Sequence, residues 1–446
     1  MVEKPRRKPW KNMLAPTVVF IVTCVVMIGS VLFFPKLKIG KAEINVYWIV
    51  ALIGAVAVFF CSTTDIQKIG AALASQSEIN PLKILALFLS MTFLSVFLDE
   101  VGFFGKLANL ALKRNHSGQK RLFFSLYALV SVLTIFTSND VIILSFTPFI
   151  CYFAKNAKIN PVPYLASEFV AANTWSMALV IGNPTNIYLA TSAGIGFAEY
   201  LKYSILPTVA GGGVSLVMLY LLFRKTLKTP LICETETVRI VDKFLLWIGI
   251  AHLAVATVLL AVGSYVGFPM WLAAVCVAGS LIVFATVYSL ARKRLPVQIF
   301  SSLLRIPYEI IPFLLSMFVI VIILNDVGVT RTIANFLGAD FPILKYGTLS
   351  FLTANLVNNI PMSVLFSSVI ESGAAGLPAI FATAIGSNVG AFLTPVGALA
   401  GIMWSSIVNK HGVTFGYRNF LKIGALVSVP TLFAALGGLW LATLIF

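Results

Sequence analysis

The sequence predicts an all-α polytopic membrane protein: about ten transmembrane helices in two inverted five-span repeats, each with a re-entrant hairpin and a broken helix. Three observations carry this. Of 446 residues, 59% are hydrophobic and 11% charged, where a soluble domain has roughly 25% charged. Uncharged runs at 12–35, 44–64, 203–223, 244–291 and 423–446 each exceed the ~20 residues a helix needs to cross a ~30 Å hydrocarbon core. Two further apolar regions, 121–155 and 345–370, are interrupted in the middle by polar residues. Lipid tolerates such interruptions only where the backbone is buried in protein or lines a cavity.

Taken in order, residues 1–12 form a basic N-terminal tail. The apolar run after it is too long for the core of a signal peptide and lacks a small-residue cleavage site, so it reads as the first span, 13–34. Further spans fall at 44–62, 82–98, 163–190, 203–224, 244–262, 269–290, 307–325, 378–405 and 423–446. The first repeat is then 13–224, a cytoplasmic linker covers 225–243, and the second repeat is 244–446. Lys and Arg number 32 against 16 Asp and Glu, a formal charge of +16. If each hairpin returns to the side it left, 22 of the 32 basic residues lie in the loops near 36–41, 106–121, 155–158, 224–243, 292–305 and 410–422. The positive-inside rule places that side in the cytoplasm, making this a multi-pass protein of the cytoplasmic membrane. The charge therefore needs no nucleic-acid partner. The N-terminal tail falls outside, a local violation of the rule. Cys24, Cys61, Cys151, Cys233 and Cys276 show no CxxC spacing, imply neither a metal site nor a disulfide framework, and read as packing residues.

The two halves resemble each other. Phe97-Leu98-Asp99-Glu100-Val101-Gly102 recurs as Ile323-Leu324-Asn325-Asp326-Val327-Gly328, followed by the amphipathic stretches KLANLAL and TIANFLG. A polar hairpin tip follows each, and then a span interrupted by Gly and Pro. Five spans and a hairpin per half is an odd number of crossings, so the copies insert upside down relative to each other, as in secondary transporters.

The candidate site residues sit in those interruptions. In TIFTSNDVIILSFTPF, Asp140 is a carboxylate at membrane depth, with Ser138 and Asn139 beside it. Such a group costs ~2.5–3.5 kcal/mol to insert and marks function by default. It offers Na⁺ a ligand or carries a proton, and it also suits the cap of the following helix. The corresponding tip, Asn358-Asn359-Ile360-Pro361, is neutral. In NTWSMALVIGNPTNIYLA and GSNVGAFLTPVGALAGIMW, Gly and Pro unwind a helix, freeing carbonyls for a cation and a helix N-terminus for an anion. Asn183, Thr185, Asn186, Ser387, Asn388 and Thr394 are the matching side-chain ligands. Asp99, Glu100 and Asp326 read as ion-paired or capping groups at span ends. Glu168, one turn before the break, is a second candidate for proton coupling, and His252 reads as a packing histidine.

The order LDEVGFF, SND with TP six residues later, NNIP, SNVGAFLTPVGALA and FGYRNFLKIG resembles the bacterial arsenite efflux permeases and the wider ion-transporter superfamily of Na⁺/H⁺ antiporters and Na⁺/dicarboxylate carriers. IGNPTN is similar to the loop of the sodium-coupled branches. The resemblance runs from about residue 13 to 440. It implies inverted repeats, often dimeric, with cations held at Ser138, Asn139, Asp140, Gly182, Asn183 and Asn186 in one half. In the other half it implies Asn358, Asn359, Ser387, Asn388, Thr394 and Gly397. The expected function is ion-coupled secondary transport, first of all proton-coupled efflux of arsenite or antimonite. The alternative is Na⁺-coupled uptake of an inorganic or dicarboxylate anion, or Na⁺/H⁺ antiport. No cofactor or bound metal is expected beyond the coupling ion, H⁺ or Na⁺. With no HExxH, GxSxG or P-loop pattern, energy must come from a gradient or a separate ATPase subunit, and an enzyme is not expected.

Overall fold

The computed structural model describes residues 9–34, 36–39, 42–74, 80–114, 118–229, 240–373, 375–413 and 415–446. The chain is helical almost throughout, because lipid leaves backbone N–H and C=O groups no partner but each other. The first ten helices are α1 (Pro9–Phe33), α2 (Tyr47–Cys61), α3 (Ile66–Leu73), α4 (Pro81–Glu100), α5 (Phe103–Arg114), α6 (Gln119–Phe136), α7 (Asn139–Asn156), α8 (Val162–Trp175), α9 (Pro184–Ser192) and α10 (Phe197–Phe223). The next ten are α11 (Lys243–Val266), α12 (Met270–Ala291), α13 (Val297–Arg305), α14 (Ile310–Asp326), α15 (Val329–Leu337), α16 (Pro342–Val357), α17 (Asn359–Ser372), α18 (Gly376–Gly390), α19 (Leu399–Lys410) and α20 (Tyr417–Ile445). Among the described residues, eight segments are long and apolar enough to cross a membrane, one of them, Gln119–Phe136, the first arm of an expected hairpin. Every expected span and hairpin arm coincides with a helix or, at 163–190 and 378–405, with a helix pair split by irregular backbone.

Local chemistry sets the boundaries. Asn80 accepts from Leu82 N at 2.8 Å with Pro81 in the first turn, where a missing N–H breaks no helical bond. Asp242 opens α11 by accepting from Phe244 N and Leu245 N. Gly267, at φ 68°, closes it in the left-handed conformation that suits glycine.

Packing pairs the two sets of ten. α2 lies on α14 and α4 on α12; α7 lies on α19 and α9 on α17; α6 packs on α8 and α16 on α18; α10 runs along α20. Exchanging α1–α10 for α11–α20 turns each contact into another member of the set. The polar interruptions therefore end up inside the bundle, away from lipid.

Three elements depart from the sequence reading. Residues near 36–41, expected as a loop, belong to an antiparallel pair, β1 (Lys36–Ile39) with β2 (Ala42–Asn45), which the period-2 patterns KLKI and AEIN favour. The short helices α3 and α13 escape hydropathy reading because they are half the length of a span. They carry the basic partners of the span-end carboxylates: Lys68 pairs with Asp326 at 2.7 Å, and Arg305 with Asp99 at 2.7 Å and Glu100 at 2.6 Å. Residues 1–8 of the tail and 230–239 of the linker, with Cys233, lie outside the described residues. Cys24, Cys61, Cys151 and Cys276 are free thiols.

Candidate functional site

At the first tip the helix breaks because Thr137 and Ser138 are extended. The Thr137 hydroxyl turns back to Leu133 O at 2.7 Å, a bond that competes with the next helical turn. Asn139 Nδ2 donates to Asn173 Oδ1 on α8 at 3.0 Å, and Asn173 Nδ2 donates to Phe169 O. Ser138 Oγ and Asn139 Oδ1 are buried and, among the described residues, have no partner. At the second tip Asn358 alone makes the break, at φ 74° and ψ 153°, a conformation that residues other than glycine rarely adopt. Its Nδ2 donates to Val396 O at 3.0 Å, and Asn359 N donates to Gly397 O at 3.0 Å. Asn359 Oδ1 is again buried and unpartnered. A buried acceptor costs ~1–3 kcal/mol when it stays unpaired, and the two tips present such an oxygen at the same place, the first residue of the second arm.

The two broken spans meet in one network, and all of its side chains are buried. Asn388 Oδ1 accepts from Ser176 Oγ at 2.9 Å and from Asn183 Nδ2 at 3.1 Å. Its Nδ2 donates to Asn186 Oδ1 at 2.7 Å. Ser387 Oγ donates to Thr185 Oγ1 at 2.9 Å, which donates to Asn183 Oδ1 at 3.0 Å. Asn183 also caps α9 through Thr185 N, and Asn186 Nδ2 satisfies Ser176 O inside the break. A Cβ on Gly182 would lie 2.3 Å from Ser176 O, so only glycine allows this fold-back. Thr394 and Gly397 belong to a separate cluster. Thr394 Oγ1 donates to Asn355 Oδ1 at 2.7 Å, and Asn355 Nδ2 reaches Gly390 O.

A cavity of about 1410 Å³ runs from the Arg305, Lys410 and Tyr417 end of the bundle to Asp140 and Pro395. Asp140 is 9% exposed, lines this cavity, and has no hydrogen-bond or ionic partner among the described residues. It is not the N-cap of α7; that place is Ser138. Glu168 does not line the cavity. It is 1% exposed, with the Thr147 hydroxyl 3.0 Å from Oε1 and Trp404 Nε1 donating to Oε2 at 3.2 Å. It thus ties α8 to α7 and to α19. His252 Nδ1 lies 2.8 Å from Ile248 O within its own helix, an ordinary packing histidine.

The model of the citrate transporter family matches residues 42–384 of the chain. The chain belongs to the citrate transporter family. It is accordingly a multi-pass membrane protein and a secondary transporter, not an enzyme. Among curated relatives in this group, the arsenical pump membrane protein of Escherichia coli is 29% identical over 376 residues, 79% of this chain and 85% of that one. A 46 kDa membrane protein of Mycobacterium leprae (strain TN) is 25% identical over 385 residues, 81% of this chain and 87% of that one. The YdaH transporter of Alcanivorax borkumensis, whose crystal structure has an unusual topology, has the same fold. It covers 96% of this chain and 98% of its own, with a TM-score of 0.56 at 13% identity.

Against the family background, sequence reasoning missed Asn173, Ser176, Asn355, Tyr47 and Glu309. The first three lie three to six residues from named candidates and are amides or hydroxyls in or close to a break, Asn173 and Ser176 buried and Asn355 half-buried, which is the signal that finds them. Tyr47 and Glu309 lie at the starts of spans, where a polar residue is ordinary; only the cavity distinguishes them.

Proposed function

We propose that the protein moves a small hydroxylated metalloid, arsenite or antimonite, out of the cell in exchange for protons, with Asp140 carrying the coupling proton. One observation supports this above others: Asp140 is a nearly buried carboxyl, unpaired among the described residues, on the wall of a large cavity. A neutral acid with three hydroxyls needs hydrogen-bond partners rather than a counter-charge, and a hydroxyl and an amide oxygen stand at the first tip and an amide oxygen at the second. The relatives described as arsenical pumps agree with that cargo. The halves are read as inverted. With the basic side cytoplasmic, the cavity at Arg305 and Lys410 opens inward, the state in which a proton is released and cytoplasmic substrate is taken up.

A second reading rests on a different observation. Ser138 Oγ, Asn139 Oδ1 and Asn359 Oδ1 are the kind of neutral oxygens that hold Na⁺, and with the family's description this supports Na⁺-coupled uptake of a carboxylate anion. Proteoliposomes separate the two. Antimonite addition should dissipate an imposed pH gradient without Na⁺, and Asp140→Asn should remove that response. A wild-type pH dependence in the Asn variant sinks the proton reading. Flux of citrate or succinate that requires Na⁺ favours the second.

A further inference from the structure

The cavity holds a second carboxylate besides Asp140. Glu309, the residue before α14, is half-buried and lines the cavity. Its Oε2 accepts from Asn45 Nδ2 at 2.5 Å and from the Tyr47 hydroxyl at 3.4 Å. Both donors come from the other half of the chain, and the Tyr47 ring is held edge-on against Phe313, centroids 5.2 Å apart at 82°. Oε1 has no donor among the described residues, and Tyr47, Glu309 and Asp140 line the same cavity.

The cations on the same wall do not neutralise these carboxylates. Arg305 is already paired with Asp99 and Glu100 of α4. Lys410 is exposed at the end of α19, and no ionic pair joins it to either carboxylate among the described residues. The phenols Tyr308 and Tyr417 complete the titratable lining, and Asp326, at the far end of α14, is held by Lys68. The arrangement is one-sided. The residue before α4 is Asn80, where α14 has Glu309, and the second hairpin has Ile360 where the first has Asp140.

We infer that Glu309 is a positioning and relay residue for the coupling proton, its free Oε1 receiving the proton that Asp140 gives up into the cavity. This rests on the reading of Asp140 as the proton carrier. The O–H bond of Asp140 breaks to cavity water and an O–H bond forms at Glu309, so the negative charge moves from Glu309 to Asp140. Glu309 then returns the proton to bulk water. Asn45 and Tyr47 fix Oε2 and so aim the other oxygen into the cavity.

The test uses the full-length protein in proteoliposomes with antimonite as probe, comparing pH-gradient-driven flux with antimonite–antimonite exchange over about pH 5.5–8.5. Glu309→Gln should lower driven flux about tenfold or more relative to exchange, and a small membrane-impermeant buffer such as phosphate, which enters the cavity without collapsing the gradient, should restore it. The same buffer should not rescue Asp140→Asn. Glu309→Asp, which keeps a carboxyl, should recover most of the driven flux, and this guards against a Gln variant that merely folds badly. A Gln variant with the wild-type ratio and pH profile overturns the relay while leaving Asp140 in place, as does an Asp variant no better than Gln. Asp140→Asn with wild-type pH dependence overturns the underlying reading instead.

Discussion

Alanine at Asn388 and at Asn359 should have opposite consequences, although both are buried asparagines at breaks in helices. Asn388→Ala removes the only partner, among the described residues, of Asn183 Nδ2 and of Asn186 Oδ1, while Ser176 Oγ keeps its bond to Asn173 O at 2.8 Å. Two buried groups are stranded, at ~1–3 kcal/mol each, so a loss of about 2–6 kcal/mol is expected. Asn359→Ala removes an acceptor that has no partner among the described residues and leaves the backbone bond from residue 359 to Gly397 O in place. Stability should then change by less than about 1 kcal/mol, or rise slightly.

Transport should reverse that order. If Asn359 Oδ1 completes a ligand shell only when solute or cation is bound, its loss forfeits an interaction with a polar or charged ligand worth ~1.5–3 kcal/mol, about ten- to a hundredfold in apparent affinity. Melting in detergent and antimonite flux normalised to folded protein separate the two effects. If Asn359→Ala proved as unstable as Asn388→Ala, with normal flux per folded molecule, the distinction between a structural network and ligand-seeking tips would be refuted.

Other substitutions probe the supports. Gly397→Ala places a Cβ 2.6 Å from Gly390 O and 2.8 Å from Asn355 Oδ1; it should displace the second tip, cost roughly 1–3 kcal/mol of thermal stability and raise the apparent substrate KM. Glu168→Gln keeps an oxygen for Trp404 and should stay within about 1 kcal/mol of wild type. Glu168→Ala strands the Trp404 N–H and Thr147 hydroxyl and should cost about 2–4 kcal/mol in a detergent melt. At Asp242, partial burial raises the carboxyl, but the Leu245 and Phe244 N–H groups, the Tyr288 hydroxyl and Arg292 outweigh it, and the side chain sits below the usual range. Its cap therefore stabilises the fold above about pH 4 and is lost as pH falls through the lowered value. The melting difference between wild type and Asp242→Ala should shrink on acidification through that window.

Much of the architecture was legible because a bilayer leaves few alternatives. A run such as 423–446 must be a helix, and a run broken by SND or GNPTN must hide its break from lipid, so the helices and their interruptions follow from hydropathy and polar residues alone. The division of labour among the polar residues was not legible. Asn183, Asn186 and Asn388 have the same composition and setting as Asn139 and Asn359, yet three saturate one another while the tip oxygens stay unpaired. That difference depends on which helix faces which across more than 200 residues, and no local pattern encodes it. Asp140 and Glu168 part in the same way: both are lone carboxylates within helices, and only packing puts one on a cavity wall and the other under Trp404. Glu309 was invisible for the reverse reason, since a glutamate at the start of a span looks like a surface residue until Asn45 and Tyr47 close over it.

The separation of these roles bears on how a rigid bundle can still transport. The network joining Ser176, Asn183, Thr185 and Asn186 to Ser387 and Asn388 crosses between the halves and leaves few of its hydrogen-bonding groups open, so it fastens the two breaks to each other. The tips rest on their own halves, through Asn173 in one case and through Val396 and Gly397 in the other. A solute that bonds the tip oxygens gains hydrogen bonds at both hairpins without breaking the central fastening. Its binding free energy is then available to shift the balance between conformations, in which a ligand acts only through the difference in its affinity for the two.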